Sequence, residues 1–368
     1  MFEEDVMDQM ERSGVDLIVS LPCDKNKRFT DMIHGRFDVI DVTREEDGVG
    51  ICAGAHLMGK RPMISIQSSG LGNMMNAMMS LMACYSLPLV IMASWRGVDG
   101  EKIEAQIPFN SRIPEMLDCF DVDHLDVSEA SDIGKISDAM DEAYGRGRIL
   151  VILMHPRLWG DSKRLDIGYP PRSRTVDVDI HKSIGDPIMT RLDAISAVMG
   201  AISDDDIVVS NIGVPSKEVF ASRDRPLNFY MLGSYTQATP IGLGMAVSTD
   251  RRVVVIDGDG SLLGSSIFPV LSSVHPANLT VVCMDNGTFG STGNQINQAY
   301  SDVDMGLIAA SYGLKDVRTV EDAVTLVSAM SSSDGMRFLQ VMISPGNSDS
   351  RNIPYSAVEI RDRFMGSL

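Results

Sequence analysis

The chain has 368 residues, 44% of them hydrophobic, which is enough for two ordinary domains with a filled core in each. Its 32 Lys and Arg against 50 Asp and Glu leave a net charge of −18, which repels nucleic-acid phosphates and anionic lipid surfaces, so any anionic substrate must meet a local basic pocket. The five cysteines (Cys23, Cys52, Cys84, Cys119 and Cys283) form no CxxC pair, an arrangement that fits thiols in a reducing cytoplasm.

From the N-terminus, the acidic stretch MFEEDVMDQMERSG predicts an amphipathic helix ended by Gly14, not a basic leader followed by an apolar signal core. Strands follow near VDLIVSLP, VIDV, PMISIQ, LPLVIMAS and RILVILMHP, with helical patterns between them. Strands spaced by helix-length segments predict an α/β fold with a parallel sheet covered on both faces. The methionine cluster NMMNAMMSLM has helical spacing and reads as core filling. The longest apolar run, LMACYSLPLVIMASW, is broken by Pro88 and is too short to span a bilayer.

Residues 160 to 187, with two adjacent prolines and many charges, read as a linker. The α/β pattern then restarts, with strands near DDIVVSN, LNFYML, RRVVVID, LTVVCMD and RFLQVMIS. The restart predicts two doubly wound parallel-sheet domains of similar size and pseudo-equivalent design.

One short stretch carries chemistry. In VVVIDGDGS an apolar strand runs into Gly258-Asp259-Gly260-Ser261, and a strand, glycine turn and helix in that order form a ligand site in α/β proteins. A dinucleotide reading would use Gly258 and Gly260 as the first glycines of GxGxxG and Asp285 for a ribose hydroxyl, but the third glycine, Gly264, falls one place late. A metal reading makes Asp259 a hard oxygen ligand, Asn286 a second and a backbone carbonyl at Thr288 a third, leaving positions for diphosphate oxygens and water. A plain tight turn using Gly and Asp for their conformational tolerance competes with both.

The pattern GDG, then 24 residues (261 to 284), then Asp285-Asn286-Gly287 resembles the fingerprint of the thiamine diphosphate-dependent decarboxylase family. In that family the first residue of the pair is usually Asn, so Asp285 is a departure. The segment TREEDGVGICAGAHLMGKRP is similar to the family's Glu-bearing helix, whose carboxyl exchanges a proton with the cofactor's aminopyrimidine. Counting along that helix puts Glu46 in the catalytic place, with Glu45 as the alternative, and first-turn acids complementing a helix dipole after Thr43 as the structural reading. The runs QSSGLGNMMNAMMSL, ASWRGVDGEKIEAQIP, NIGVPSKEVF, NFYMLGS and DNGTFGSTGNQ resemble the branch of the family that acts on sulfonated or phosphonated pyruvates.

That resemblance implies a pyrimidine-binding domain at 1–165, a linker at 166–187 and a diphosphate-binding domain at 188–368, with no middle domain. It implies thiamine diphosphate and Mg2+ as cofactors, the metal held by Asp259, Asn286 and Thr288 and the cofactor also touching Gly233, Ser234, Tyr235, Gly258, Gly260 and Ser261. Tyr235 and Thr236 stand where relatives carry a Met that props the cofactor, so the Tyr235 hydroxyl needs a partner if buried. The implied reaction is non-oxidative decarboxylation of 3-sulfopyruvate to sulfoacetaldehyde and CO2, a step of coenzyme M biosynthesis, by a cytoplasmic homodimer or homotetramer with active sites between subunits. Phosphonopyruvate or another 2-oxo acid is the alternative, and a non-catalytic nucleotide-binding module a remote one. Arg96, whose planar fork suits an oxyanion, is the candidate for the sulfonate, with Lys102 as a second charge and Gln67 as a polar contact. Surface charge competes as an explanation of Lys102. His56 on the Glu-bearing helix, and Asn294 and Gln295 in STGNQ, are weaker candidates for facing or closing over the substrate.

Overall fold

The apolar runs are four to seven residues long and β-branched, which suits strands buried on both faces better than helices. In the computed structural model, which describes residues 2–159, 162–166, 168, 182–331 and 335–368, nearly all of them become strands of two parallel sheets. The chain divides into two compact units, Met1–Arg172 and Ser173–Leu368. Most of the linker expected at 166–187 lies outside the described residues, and 182–187 carry no helix or strand.

The first unit holds β1 (Leu17–Ser20), β2 (Asp38–Asp41), β3 (Pro62–Gln67), β4 (Leu89–Ser94), β5 (Asp123–Val127) and β6 (Ile149–Met154), in the spatial order β2-β1-β3-β4-β6-β5. Every residue of β4 and β6 is buried, which is why both read as unbroken apolar runs. At the edge lies β5, with the sequence DHLDV and only Val127 buried; its polar composition hid it from the sequence reading. The helix Phe2–Arg12 buries Val6, Met7 and Met10, and Gly14 follows it at φ +69°, the left-handed turn that glycine permits. Met74, Met78 and Met82 are fully buried at one-turn spacing, so the methionine cluster is core.

The second unit holds β7 (Ile207–Ser210), β8 (Asn228–Tyr230), β9 (Val253–Gly258), β10 (Leu279–Asp285), β13 (Asp316–Val320) and β14 (Arg337–Met342), ordered β13-β14-β10-β9-β7-β8. Between β10 and β13 a short antiparallel hairpin joins β11 (Thr288–Phe289) to β12 (Gln295–Ile296). Numbered within its own unit and read from the other edge, the second sheet has the strand order of the first. The pseudo-equivalence of the halves is therefore one of topology, down to the polar edge strand each carries.

In each sheet the chain leaves its first strand in one direction and returns on the other side, so the loops after β1 and β3, and after β7 and β9, diverge at a switch point where α/β folds bind ligands. No helix among the described residues is long and apolar enough to cross a membrane.

Candidate active site

In the second unit the switch point brings Asn211, after β7, beside the turn after β9: a Cβ built on Gly258 would find only Asn211 Nδ2 within 4 Å, at 3.6 Å. Gly258, Asp259, Gly260, Ser261, Asn286 and Thr288 line one cavity of about 140 Å³, with Tyr235 at its wall. Gly260 is required, because a Cβ there would lie 2.7 Å from the Phe289 ring. Asp259 is 2% exposed, and its Oδ2 accepts a hydrogen bond from Asn297 Nδ2 at 2.8 Å. Burial pushes its carboxyl up to about 7, opposed by the Asn297 donor and reinforced by the charge of Asp285.

Burial likewise raises Asp257, whose carboxylate accepts from the Thr239 hydroxyl at 2.6 Å and the Gly258 amide at 2.8 Å, and Asp285, which accepts from Gln340 Nε2 at 2.8 Å. Of the three, Asp259 faces the cavity, and the nearby charge of Asp285 adds to the pull on a cation beside it. No three His, Cys, Asp or Glu side chains among the described residues converge to hold a metal by themselves. A hard cation there would need the oxygens of Asn286, the Thr288 carbonyl and a ligand beside Asp259. That mixed donor set fits Mg2+ better than a soft metal. Neither Asp285 nor Gly264 lines the cavity at Gly258 to Ser261, and the Tyr235 ring covers the open face of Gly264, so the dinucleotide reading lacks its ribose and third-glycine partners there.

Gly233 and Ser234 do not line the cavity. Ser234 and Thr236 take φ of +70° and +76°, and the turn they form carries Tyr235 back so that its hydroxyl donates to the Gly260 carbonyl at 2.6 Å. The hydroxyl thus has its partner and ties this loop to the GDG turn. The buried Ser234 Oγ and Gln237 Oε1 have no hydrogen-bond partner among the described residues. Of these, the Ser234 hydroxyl can donate, and with the open face of Gly258 it leaves capacity that a diphosphate would use.

In the first unit the helix Glu45–Leu57 buries nearly its whole length, and Gly48 lets it lie close to β1: a Cβ there would be 3.1 Å from Val19. Its first turn decides between the two acids. Glu45 is buried, and its Oε2 accepts from Asn73 Nδ2 at 3.0 Å. It lies so close to the helix Gly70–Ala77 that a Cβ on Gly70 would be 2.6 Å from its Cγ and Oε1. Glu46 instead turns back to Arg44 Nε at 3.2 Å, a pair in which the arginine is 44% exposed. Of the two acids, the buried one held by a side chain from a second element is therefore Glu45, whereas the count along the helix favours Glu46.

Arg96, at the end of β4, is 3% exposed. Its Nε donates to Glu101 at 2.6 Å, its Nη1 to Asp24 at 2.7 Å, and its backbone amide to Ser68 Oγ at 3.0 Å. Gln67, at the end of β3, accepts from Arg96 Nη1 and Cys23 Sγ, each at 3.4 Å. Arg96 and Lys102 line a cavity of about 530 Å³, so all three expected substrate contacts gather at the carboxyl edge of the first sheet. His56 does not join them: its Nδ1 lies 3.1 Å from the Lys60 carbonyl, at the end of its helix. Asn294 and Gln295 serve the β11–β12 hairpin, bonding Thr288 and Thr292.

Sequence reasoning passed over Asn297, Asp257 and the residues after β1. Asn297 reaches Asp259 only because the hairpin folds back, a tertiary fact without a local signature.

Two family models match the chain: the N-terminal TPP binding domain of thiamine pyrophosphate enzymes over residues 2–117 and the C-terminal TPP binding domain over 214–341. Fold and site thus define a thiamine pyrophosphate enzyme. A sulfopyruvate decarboxylase from Methanosarcina acetivorans is 37% identical over 377 residues, covering 100% of this chain and 97% of the relative. The chain belongs to the sulfopyruvate decarboxylase family. Separate proteins named as its alpha and beta subunits each match part of the chain. A phosphonopyruvate decarboxylase from Streptomyces viridochromogenes is 32% identical over 88% of this chain and 84% of its own. Among solved structures, benzoylformate decarboxylase from Polynucleobacter necessarius superposes with a TM-score of 0.70 at 12% identity, over 94% of this chain and 99% of its own, a likeness of fold.

Proposed function

We propose that the protein decarboxylates 3-sulfopyruvate to sulfoacetaldehyde and CO2, using thiamine diphosphate and Mg2+. The observation that carries this reading is the 37% identity to a sulfopyruvate decarboxylase along the full chain. We assign the diphosphate and metal to residues 188–368, through Gly258, Asp259, Gly260, Ser261, Asn286 and Thr288, with Gly233, Ser234 and Tyr235 on the adjoining loop. The pyrimidine part is assigned to residues 1–165.

When bound, the thiazolium supplies the electron sink that loss of CO2 requires. The protein's own work is to hold, orient and move one proton. Glu45 carries that proton: with Oε2 engaged by Asn73, Oε1 is the atom free to give or receive it. Arg96 orients the sulfonate end of the substrate through its guanidinium, with Gln67 fixing the guanidinium and Lys102 adding charge. We further propose a homodimer or homotetramer whose active sites are completed between subunits.

An NMR time course of 3-sulfopyruvate with purified protein tests the reaction. Sulfoacetaldehyde is expected only when both thiamine diphosphate and Mg2+ are present. Unchanged sulfopyruvate with folded, cofactor-loaded protein, together with turnover of phosphonopyruvate, would transfer the assignment to the second relative's substrate.

A further inference from the structure

The cavity around Arg96 is built from the loops after β1, β4 and β6, and its charged side chains sort into pairs and leftovers. Arg96 is held by Asp24 and Glu101, and Arg157 by Asp99 at 2.6 Å. Lys25 and Lys102 line the same cavity and make no ion pair among the described residues. Arg96 Nη2 is buried with no acceptor among the described residues, although both other guanidinium nitrogens are engaged. A buried cationic N–H group without a partner is costly unless an anion completes it. Four cations therefore face three carboxylates, and the single net positive charge resides on one unsatisfied guanidinium edge and two free lysines.

We infer that Lys25 joins Arg96 and Lys102 in a cradle for the substrate's acidic head group, and that the carboxylates Asp24, Glu101 and Asp99 hold its charge at a value that selects a monoanionic sulfonate over a dianionic phosphonate. This rests on the proposal that the cavity receives the substrate. A sulfonate carries one charge at all working pH values, whereas a phosphonate, like a phosphate monoester with a second pKa near 6, is mostly a dianion at pH 8. Discrimination comes from withholding a second positive charge: Asp24 and Glu101 occupy two edges of the guanidinium that a dianion would otherwise claim, and one edge is left. Lys25, half-buried on the loop after β1, was absent from the sequence-based candidates because nothing local distinguishes it from surface lysine.

The test uses the full chain, loaded with thiamine diphosphate and Mg2+, at pH 8, where a phosphonate is mostly dianionic. Lys25→Gln is expected to lower kcat/KM for 3-sulfopyruvate roughly 10- to 100-fold, mainly through KM. Asp24→Asn, at a position 61% exposed, is expected to raise the phosphonopyruvate-to-sulfopyruvate ratio of kcat/KM by roughly threefold or more. An unchanged ratio in Asp24→Asn, or an unchanged KM in Lys25→Gln, with wild-type turnover of sulfopyruvate intact, would overturn the inference and leave the function standing. Calorimetric titration with sulfoacetate, a non-reacting probe, separates the two failures. If the wild type binds sulfoacetate, Lys25→Gln does not, and neither turns over sulfopyruvate, the anion cradle stands and the substrate assignment falls. If both proteins bind sulfoacetate equally, the cradle falls.

Discussion

At the scale of single residues, the neighbouring acids Glu45 and Glu46 make the sharpest contrast. They share a helix turn and a sequence environment, yet one is buried against Asn73 and Gly70 while the other pairs with an exposed arginine. Glu45→Gln is expected to reduce kcat by roughly 10²- to 10⁴-fold, the usual contribution of a positioned acid-base group, while thiamine diphosphate binding measured by fluorescence quenching persists. Glu46→Gln is expected to stay within about threefold of wild type, since it removes only a pair to a half-exposed arginine on the same turn. Reversed outcomes would return the proton-carrying role to Glu46. The sequence narrowed the acid to two neighbours, and burial separates them. Motif counting carries an uncertainty of one residue along a helix, and one residue is a rotation of about 100°, enough to exchange a buried position for a rim one. Asp259 was legible for the opposite reason, since a carboxylate locked between two glycines at a strand end leaves no register to slip.

At the scale of elements, glycine and ion pairs set how closely segments approach. The helix Ala238–Ala246 lies so near β9 that a Cβ on Gly242 would be 2.0 Å from Val255 Cγ2. Gly242→Ala is therefore expected to destabilise the second unit by roughly 1–3 kcal/mol, the usual cost of overpacking, measurable as a lower midpoint in urea unfolding; an unchanged midpoint would mean the helix can retreat freely. The loop after β4 depends on charge instead. The hydrogen bond from Arg96 holds the Glu101 carboxyl down at about 2, against an ordinary 4.5. Because the folded value lies below the unfolded one, the pair's stabilisation is complete above about pH 4.5 and is lost as pH falls towards 2. A Glu101→Gln variant should show a smaller fall in melting temperature between pH 5 and pH 3 than wild type, and an equal fall would detach Glu101 from acid sensitivity. Central strands such as β4, β6, β9 and β10 were visible as apolar runs. The edge strands β5 and β13 were not, because an edge is half solvated and their sequences, DHLDV and DVRTV, are polar enough to read as loop.

At the scale of the whole molecule, two sheets of one topology divide the candidate machinery: the proton-carrying acid and the anion cradle belong to the first unit, and the metal and diphosphate cavity to the second. If active sites are completed between subunits, defects in the two units must complement one another. Glu45→Gln and Asp259→Asn, each expected to be inactive alone, would be unfolded together, refolded as a mixture and assayed with thiamine diphosphate and Mg2+. Random pairing makes half the dimers mixed, and each mixed dimer holds one site with both residues intact, so about a quarter of wild-type activity should return. Activity that stays at the level of the parents, with mixed dimers verified by a tag on one variant, would mean that each chain completes its own site. The outcome bears on the separate alpha and beta relatives as well. A site that needs one unit from each of two chains works equally whether the units are joined or encoded apart, since the linker then carries no catalytic geometry.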